Sequence, residues 1–225
     1  NTGFSHANNI GIKHAKGDTI LLLNSDTEVR EGVIEHLQKL LWSVDDIGVV
    51  TGKLVLPNGA MDPACHRGFP TPWAALTYFL GFGQLFPTSK VFGQYHQGYK
   101  DMHSVHEIDC PSGAFFMIKR NVIGHVGLLD EDYFMYGEDI DWAYRIRQKG
   151  YKILFDPTVT IFHKKKQSGR ANENQELRKK TQQYFYETMR IFYKKHYQTV
   201  YAPLLTWIVD LILTFRIFLF KQFSI

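Results

Sequence analysis

Short apolar runs alternate with amphipathic segments through the first part of the chain. Residues 19–23 and 49–56 are apolar runs of strand length, and residues 31–41 between them place their apolar side chains at helical spacing. A further strand is predicted over residues 110–119, and a helix over residues 138–149. This alternation predicts an α/β fold in which helices flank a mostly parallel sheet.

Residues 65–108 interrupt this pattern. Their composition changes to glycine, proline, histidine and aromatic residues, with one apolar helix predicted near residues 73–82. Ordered excursions of this length are usually functional, so we expect this one to form part of a binding site. After the excursion, two short strands are predicted at residues 151–155 and 159–162.

The C-terminal residues have a different character. Residues 175–197 predict a basic, aromatic helix, and residues 203–220 are strongly apolar. In the second segment Thr206, Asp210 and Thr214 fall four apart, which gives an apolar helix one narrow polar face. We expect such a helix to lie in a membrane interface or against a partner rather than to span a bilayer. Docking on the protein's own core is the alternative.

Composition and charge narrow the function classes. The 225 residues are 44% hydrophobic, which is enough for one large domain with a core. Residues 1–162 carry a net charge of −4 and residues 163–225 one of +8, so an acidic body precedes a basic region suited to an anionic membrane surface. We expect no nucleic-acid partner. Cys65 and Cys110 lack metal-ligand spacing, which argues against a disulfide framework or zinc ribbon and favours a reducing, cytoplasmic setting.

Polar side chains follow the apolar run at residues 19–23. Asn24 and Asp26 are two apart, so in a continuing strand both face the same side, at the edge where α/β sheets bind ligands. Their oxygen atoms suit Mg²⁺ or Mn²⁺ bridging a diphosphate. The alternative is a turn in which Asn-Ser-Asp-Thr caps the next helix.

A second acidic cluster opens a predicted helix. Glu138 and Asp139 follow an aromatic run at residues 133–137, whose rings would desolvate a carboxylate and suit it to general-base chemistry, the role we assign to Asp139. The alternative is structural, because a helix dipole favours acids at its start and Asp141 can pair with Arg145.

A third cluster follows the strand predicted at residues 159–162. His163 comes directly after it, followed by Lys164, Lys165 and Lys166. A neutral imidazole at a strand end can complete a metal shell, and lysines can neutralise phosphate. A structural histidine beside a solvated lysine face is the alternative.

Taken in order, these motifs resemble a known family. The chain carries N-x-G-F-x-x-x-N-N-x-G at residues 1–11, then LLLNSDT, SGAFFMIKR, GLLDEDYFMYGEDIDWAYRIRQKGY and a strand-end histidine. This combination is similar to the inverting family 2 glycosyltransferases of GT-A fold, especially the rhamnosyltransferase-like branch. The resemblance implies a partial GT-A domain over residues 1–170, with the variable excursion 65–108 on the acceptor side. The C-terminal helices, residues 171–225, would then be membrane-associated.

The resemblance also implies roles for individual residues. Asp26 and His163 would be ligands of Mg²⁺ or Mn²⁺, with Asn24 beside them as the first position of a degenerate Asp-x-Asp motif. Asp139, next to Glu138, would deprotonate the acceptor hydroxyl.

Four further residues take substrate-binding roles from the same resemblance. Gly113 and Ala114 would line the sugar and acceptor pocket. Asn8 would lie near the nucleotide sugar, and Lys164 would neutralise the diphosphate.

The implied activity is transfer of a sugar, with inversion, from a nucleotide-diphosphate donor to a hydroxyl of a lipid-linked or polysaccharide acceptor. The implied location is the cytoplasmic face of a bacterial-type plasma membrane. Two departures stand out: Asn24 removes one charge from the metal shell, and the β-α-β unit that opens such enzymes is expected upstream of Asn1. A non-catalytic glycan-assembly scaffold is the alternative function, and a nucleotidyltransferase is a third.

Overall fold

The computed structural model describes residues 2–165 and 175–222. The side chains of residues 175–178 and 221–222 are outside this description, and Lys166 of the predicted lysine run also lies outside it. The strands are β1 (Thr19–Leu23), β2 (Thr27–Val29), β3 (Ile47–Val55), β4 (His106–Glu107), β5 (Phe115–Lys119) and β6 (Lys152–His163). The helices are α1 (Phe4–His14), α2 (Val33–Leu41), α3 (Pro72–Phe79), α4 (Phe82–Leu85), α5 (Arg120–Val126), α6 (Glu138–Gln148), α7 (Gln175–His196) and α8 (Pro203–Gln222), with a 3₁₀ turn at Pro63–Cys65.

The described strands form one mixed sheet. Its order is β1-β5-β3-β6-β2, and β4 pairs with β6. Only β3 and β6 pair in parallel, and the other strand pairs are antiparallel. The α/β class is confirmed, but the expectation of a mostly parallel sheet is wrong. An apolar run records that a strand is buried, and a buried antiparallel strand such as β5 looks the same in sequence as a parallel one.

Three strands nevertheless end at the same edge of the sheet. β1 and β3 are both antiparallel to β5, which lies between them, and β6 is parallel to β3, so β1, β3 and β6 run in one direction. The segments that follow Leu23, Val55 and His163 therefore lie together, beside the segment that leads into Phe115. This edge is where an α/β sheet presents binding residues.

Two helices cover the sheet with apolar side chains. α2 buries Val33, Leu37 and Leu41, which are four apart and so share one helix face. α6 buries Trp142, whose ring stacks on that of Phe116 in β5 with centroids 5.1 Å apart. These contacts fix the helix starts relative to the strand ends.

β6 is a single strand where two were predicted. Its register against β3 shifts between Gly52 and Lys53, whose partners are Asp156 and Thr160. Pro157 lies in this irregular stretch, where its missing N–H costs no ladder hydrogen bond. The helix predicted near residues 73–82 is present as α3 followed by α4, while β2, β4 and α5 were not predicted.

The basic helix α7 is docked on the body of the protein. Phe192, Tyr193 and Tyr197, at the C-terminal end of α7 and just beyond it, pack in one buried cluster with Tyr133. His196 near the end of α7 also contacts Asp141 of α6, with 2.7 Å between Nε2 and Oδ1. Asp141 bonds Arg145 as well, as the sequence predicted.

Two residues of the predicted polar face of α8, Thr206 and Asp210, contact α7, whereas the third, Thr214, is exposed. Thr206 Oγ1 lies 3.2 Å from the Tyr193 hydroxyl, and Asp210 pairs with Arg190 of α7 at 2.8 Å. The opposite face is apolar and exposed. By length and composition Pro203–Phe220 could cross a membrane, with a mean hydropathy of 1.8 and 11% of the segment buried. Thr206 and Asp210, together with the buried Leu213 and Ile217, therefore hold α8 on the protein.

Replacing Leu37 with alanine should destabilise the fold. Leu37 is 0% exposed, so the change leaves a cavity between α2 and the sheet and should lower the free energy of unfolding by roughly 2–5 kcal/mol. Ile34→Ala on the same helix is the matched control, because Ile34 is 40% exposed and should lose much less. Urea denaturation measures both; equal losses would contradict the assignment of the buried face.

Candidate active site

A cavity of about 520 Å³ lies at the sheet edge where β1, β3 and β6 end. Its floor comes from the strand-end segments and its side from the start of α6, while α3 and α7 close it from the other direction. The lining includes most of the polar residues that the sequence had selected and several that it had not: Asn24, Asp62, Arg67, Ser112, Gly113, Ala114, Glu138, Asp139, His163 and Lys165.

Asp26 and His163 meet at this edge, as predicted from their positions after two strands. Asp26 Oδ1 lies 3.4 Å from His163 Nε2. The contact results from the antiparallel pairing of β2 with β6, which sets Thr27 opposite His163 and lets the Lys164 N–H donate to the Asp26 carbonyl. Asn24 and Asp26 are in the tight turn between β1 and β2, so the turn alternative is correct for the backbone, although a strand follows and not a helix.

A buried carboxylate orients His163. Asp62 Oδ2 lies 2.8 Å from His163 Nδ1, and Asp62 Oδ1 lies 3.1 Å from Lys165 Nζ. Burial alone would raise the pKa of Asp62, but the hydrogen bond with His163 and the charge of Lys165 hold that pKa well below its ordinary value. Asp62 is therefore an anion, and its Oδ2 accepts the Nδ1 hydrogen of His163.

This arrangement suits a divalent cation. With its hydrogen on Nδ1, His163 turns the lone pair of Nε2 toward a carboxylate oxygen of Asp26, and two acceptors that face each other favour a positive ion between them. A carboxylate on the far nitrogen of a histidine is the usual support of a metal ligand. Among the described residues, Asp26 and His163 have no third histidine, cysteine, aspartate or glutamate beside them that completes a metal site. An ion here would therefore take its other ligands from substrate or water.

Lys165, and not Lys164, reaches the cavity. Lys165 bonds Asp62, whereas Lys164 is turned outward and pairs with Glu28 at 3.0 Å. The backbone of Lys165 has φ 44°, in the left-handed region, which redirects the chain just after β6. Lys165, and not the predicted Lys164, is therefore the lysine that lines the cavity, and contact of either one with a diphosphate stays a prediction.

Asp139 is held in place by a buried ion pair. Its Oδ2 accepts a hydrogen bond of 2.7 Å from Arg67 Nη2 and one of 3.2 Å from the Gly113 N–H. The same Arg67 nitrogen donates to the Pro111 carbonyl. Burial alone would lower the pKa of Arg67, but the Asp139 carboxylate raises it above its ordinary value, so Arg67 keeps its charge.

Glu138 lines the cavity beside Asp139 in a different state. It is buried, and its Oε2 has no hydrogen-bond partner among the described residues. Burial and the nearby negative charge of Asp139 raise the pKa of Glu138 to about 8. Glu138 is therefore largely protonated at neutral pH, next to an ionised aspartate.

Small residues let the walls approach one another. Gly137, which precedes α6, has φ 81°, and a Cβ there would come within 3.2 Å of Thr188 in α7. Gly113 is in contact with Phe4, since a Cβ at Gly113 would lie 3.3 Å from that ring. Gly113 and Ala114 both line the cavity, and their predicted contact with sugar and acceptor stays a prediction. Larger side chains at these positions would separate α6, α7 and the segment before β5.

Asn24 and Asn8 have different outcomes. Asn24 lines the cavity, and its N–H donates to the Ala114 carbonyl. Asn8 is outside the lining; its amide donates to the Phe4 carbonyl one turn earlier in α1, at 2.9 Å. Its suggested place near the nucleotide sugar remains a prediction.

Two residues of the site, Asp62 and Arg67, were missed from the sequence. Asp62 carried a local signal, because Asp-Pro is a typical helix start and Asp62 caps the 3₁₀ turn through the Ala64 N–H. Arg67 carried none. It reaches Asp139 only because its segment pairs with Cys110, a contact between residues 43 positions apart.

Comparisons with known proteins identify the family. A family model described as "Glycosyltransferase like family 2" matches residues 1–181. A low-salt glycan biosynthesis hexosyltransferase from Haloferax volcanii is 26% identical over 167 residues, which are 72% of this chain and 49% of that protein. An N-acetylglucosaminyl-diphospho-decaprenol L-rhamnosyltransferase from Mycobacterium tuberculosis is 25% identical over 151 residues, 67% of this chain and 48% of that protein.

The fold has a counterpart among solved structures. A crystal structure of GalNAc-T7 with UDP, GalNAc and Mn²⁺ superposes with a TM-score of 0.50 at 17% identity, over 90% of this chain and 39% of that one. The chain spans about half the length of the curated relatives it matches. The family match over residues 1–181, supported by these relatives and by the shared fold, establishes that this chain belongs to the family 2 glycosyltransferases.

Proposed function

We propose that this chain forms the catalytic face of an inverting glycosyltransferase, which moves a sugar from a nucleotide-diphosphate donor to a hydroxyl of a lipid-linked or polysaccharide acceptor. One observation carries the proposal: His163, whose Nε2 lies 3.4 Å from Asp26, and Asp139 line the same cavity, although Asp26 itself is not a lining residue. Asp26 and His163 suit the donor diphosphate and Asp139 suits the acceptor hydroxyl, so one cavity would serve both substrates.

The donor side is built for a diphosphate. Asp26 and His163 would hold Mg²⁺ or Mn²⁺, which when bound supplies positive charge to the diphosphate oxygens. Asp62 keeps the Nε2 of His163 turned toward Asp26, and the Lys165 ammonium adds a charge at the same end of the cavity. Asn24 offers a neutral amide where an acid would add a further negative charge to the site. The protein thus orients the His163 ring through Asp62 and places the Lys165 ammonium nearby.

The acceptor side supplies a base. Asp139 takes the proton of the acceptor hydroxyl, whose oxygen attacks the anomeric carbon while the bond from that carbon to the diphosphate oxygen breaks. The nucleoside diphosphate leaves with the electron pair of that bond, and a single displacement inverts the anomeric centre. Arg67 and the Gly113 N–H donate to Oδ2 and so fix the carboxylate, while among the described residues Oδ1 accepts only the Ile140 N–H.

Glu138 has a supporting role in this scheme. Because it stays largely neutral, it adds no second negative charge beside Asp139, and its protonated carboxyl group can donate a hydrogen bond into the cavity. Asp139 thus accepts the proton, whereas the neutral Glu138 binds substrate through a hydrogen bond.

The apolar outer face of α8 supports a membrane location. Helix α8 presents large side chains to solvent on the side away from α7, among them Leu204, Trp207, Leu211 and Phe215. We place this face in the cytoplasmic leaflet of a bacterial-type plasma membrane, where a lipid-linked or polysaccharide acceptor is assembled.

Asp139→Asn should lower turnover by about 10²-fold or more while donor binding is preserved, because an amide cannot accept the hydroxyl proton. The donor is first found by screening nucleotide sugars for hydrolysis with and without Mn²⁺, using the protein with its flanking sequence intact. Asp132→Asn, on an exposed loop acid, is the matched control. Near-normal turnover in Asp139→Asn would remove Asp139 from the mechanism, and no hydrolysis of any donor by the unchanged protein would favour the scaffold alternative.

Asp62→Asn should weaken Mn²⁺ binding in the presence of a nucleoside diphosphate by about 10- to 100-fold, because His163 loses the partner that fixes its ring. Calorimetry measures the affinity without any need for turnover. Asp156→Asn makes the same change at a second buried aspartate that also bonds a histidine, His36, but lies outside the cavity lining. Equal effects of the two variants would show that the loss is general and not specific to the site.

Glu138→Gln should flatten the dependence of stability on pH. The folded protein keeps the Glu138 proton up to a pKa of about 8, whereas the unfolded chain loses it near 4.5. The stability that this proton contributes is fully present below pH 4.5 and is lost as pH rises through about 8. We subtract the unfolding free energy of the original protein from that of the variant. This difference should be at least about 2 kcal/mol larger at pH 8 than at pH 4. A pH-independent difference, measured by urea denaturation, contradicts the raised pKa.

A further inference from the structure

The cavity has two chemically different ends. Its polar end holds the charged residues of the strand ends. Its other end is apolar and is formed by two facing helices, α3 and α7. Helix α3 contributes Ala75, Tyr78 and Phe79, and α7 contributes Phe185, Met189 and Phe192. In both helices the spacing is that of one face, so each helix directs a stripe of apolar side chains at the same groove.

The apolar groove opens onto an apolar surface. Between residues 68 and 99 the only charged side chain is that of Lys90. Large apolar side chains there are nonetheless exposed, which is unusual for a surface in contact with water. They are Trp73, Leu76, Phe79, Leu80, Phe82, Leu85, Phe86 and Val91.

Aromatic contacts join this surface to α8. The ring of Tyr186 in α7 stacks with that of Phe79 at 6.4 Å on one side and with that of Phe220 at 5.6 Å on the other. The mouth of the groove and the apolar face of α8 are therefore parts of one continuous surface. A chain leaving the groove past Phe79 meets the aromatic ring of Tyr186, which also has the Arg216 guanidinium 5.9 Å from its centre.

We propose that the groove between α3 and α7 binds the hydrocarbon chain of an acceptor whose sugar is linked to a lipid through a diphosphate. This inference rests on the proposed function and selects the lipid-linked acceptor over the polysaccharide. The polar end takes the sugar, with its hydroxyl at Asp139, and the apolar end takes the first part of the chain, with the acceptor's diphosphate between them. A polysaccharide would need hydrogen-bond donors and acceptors along both walls, and the two stripes offer mostly hydrocarbon.

Chain-length dependence of binding tests the groove directly. The probes are farnesyl diphosphate, with fifteen chain carbons, and dimethylallyl diphosphate, with five, both kept below micelle-forming concentrations and titrated into the intact protein by calorimetry. The longer probe should bind at least about 10-fold more tightly, since each added carbon buries apolar surface. Equal affinities overturn the proposal.

A groove-filling variant locates the effect. Ala75→Trp places a ring between the two stripes and should reduce the chain-length preference to less than about 3-fold. Leu76→Trp makes the same kind of addition to the next residue of α3, which is 49% exposed and outside the cavity lining, and should keep the full preference. If Ala75→Trp does not fold, Met189→Trp tests the opposite wall. A preference retained in a folded groove variant overturns the proposal.

Three further outcomes separate this inference from the alternatives. A lysophosphatidylglycerol that displaces farnesyl diphosphate equally well would show that the groove takes membrane lipid in general, and the acceptor assignment would fail. Donor hydrolysis that depends on Asp139, without any chain-length preference, would leave the proposed function intact and remove the groove alone. A chain-length preference without donor hydrolysis would remove the enzyme and keep a lipid site.

Discussion

Arg67 and Asp139 are buried together, and the candidate site depends on this one ion pair. A single buried charge is far more costly than a pair, so each residue holds the other in place. Arg67 belongs to the excursion, while Asp139 opens α6 and accepts the N–H of Gly113. The same guanidinium binds the Pro111 carbonyl, next to the segment that enters β5. Three parts of the chain that are distant in sequence are thereby fixed around one carboxylate.

Local patterns predicted the groups that depend on local structure. Asp139 and His163 could be found because one opens a helix and the other ends a strand, and both positions are visible in the order of apolar residues. Asp62 and Arg67 could not be found with the same certainty, because their roles arise from contacts across many residues. The choice between Lys164 and Lys165 was open to a simple rule, since residues two apart in an extended chain face the same side, and Lys165 is two from His163.

Directions of strands and helices were the harder part. The apolar runs gave the α/β class correctly, but nothing in a run of buried residues tells whether its neighbour runs with it or against it. A related limit applies to α8. The spacing of Thr206 and Asp210 correctly indicated one polar stripe, but only the packing shows that this stripe faces Arg190 and Tyr193 of α7.

Helix α7 belongs to two surfaces at once. One side of it forms a wall of the cavity, through Phe185 and Met189, and another side carries α8 through the pair of Arg190 with Asp210. A rigid helix cannot shift one side without shifting the other. A displacement of α8 would therefore change the width of the cavity, and a force applied to the apolar face of α8 would reach the cavity wall through α7.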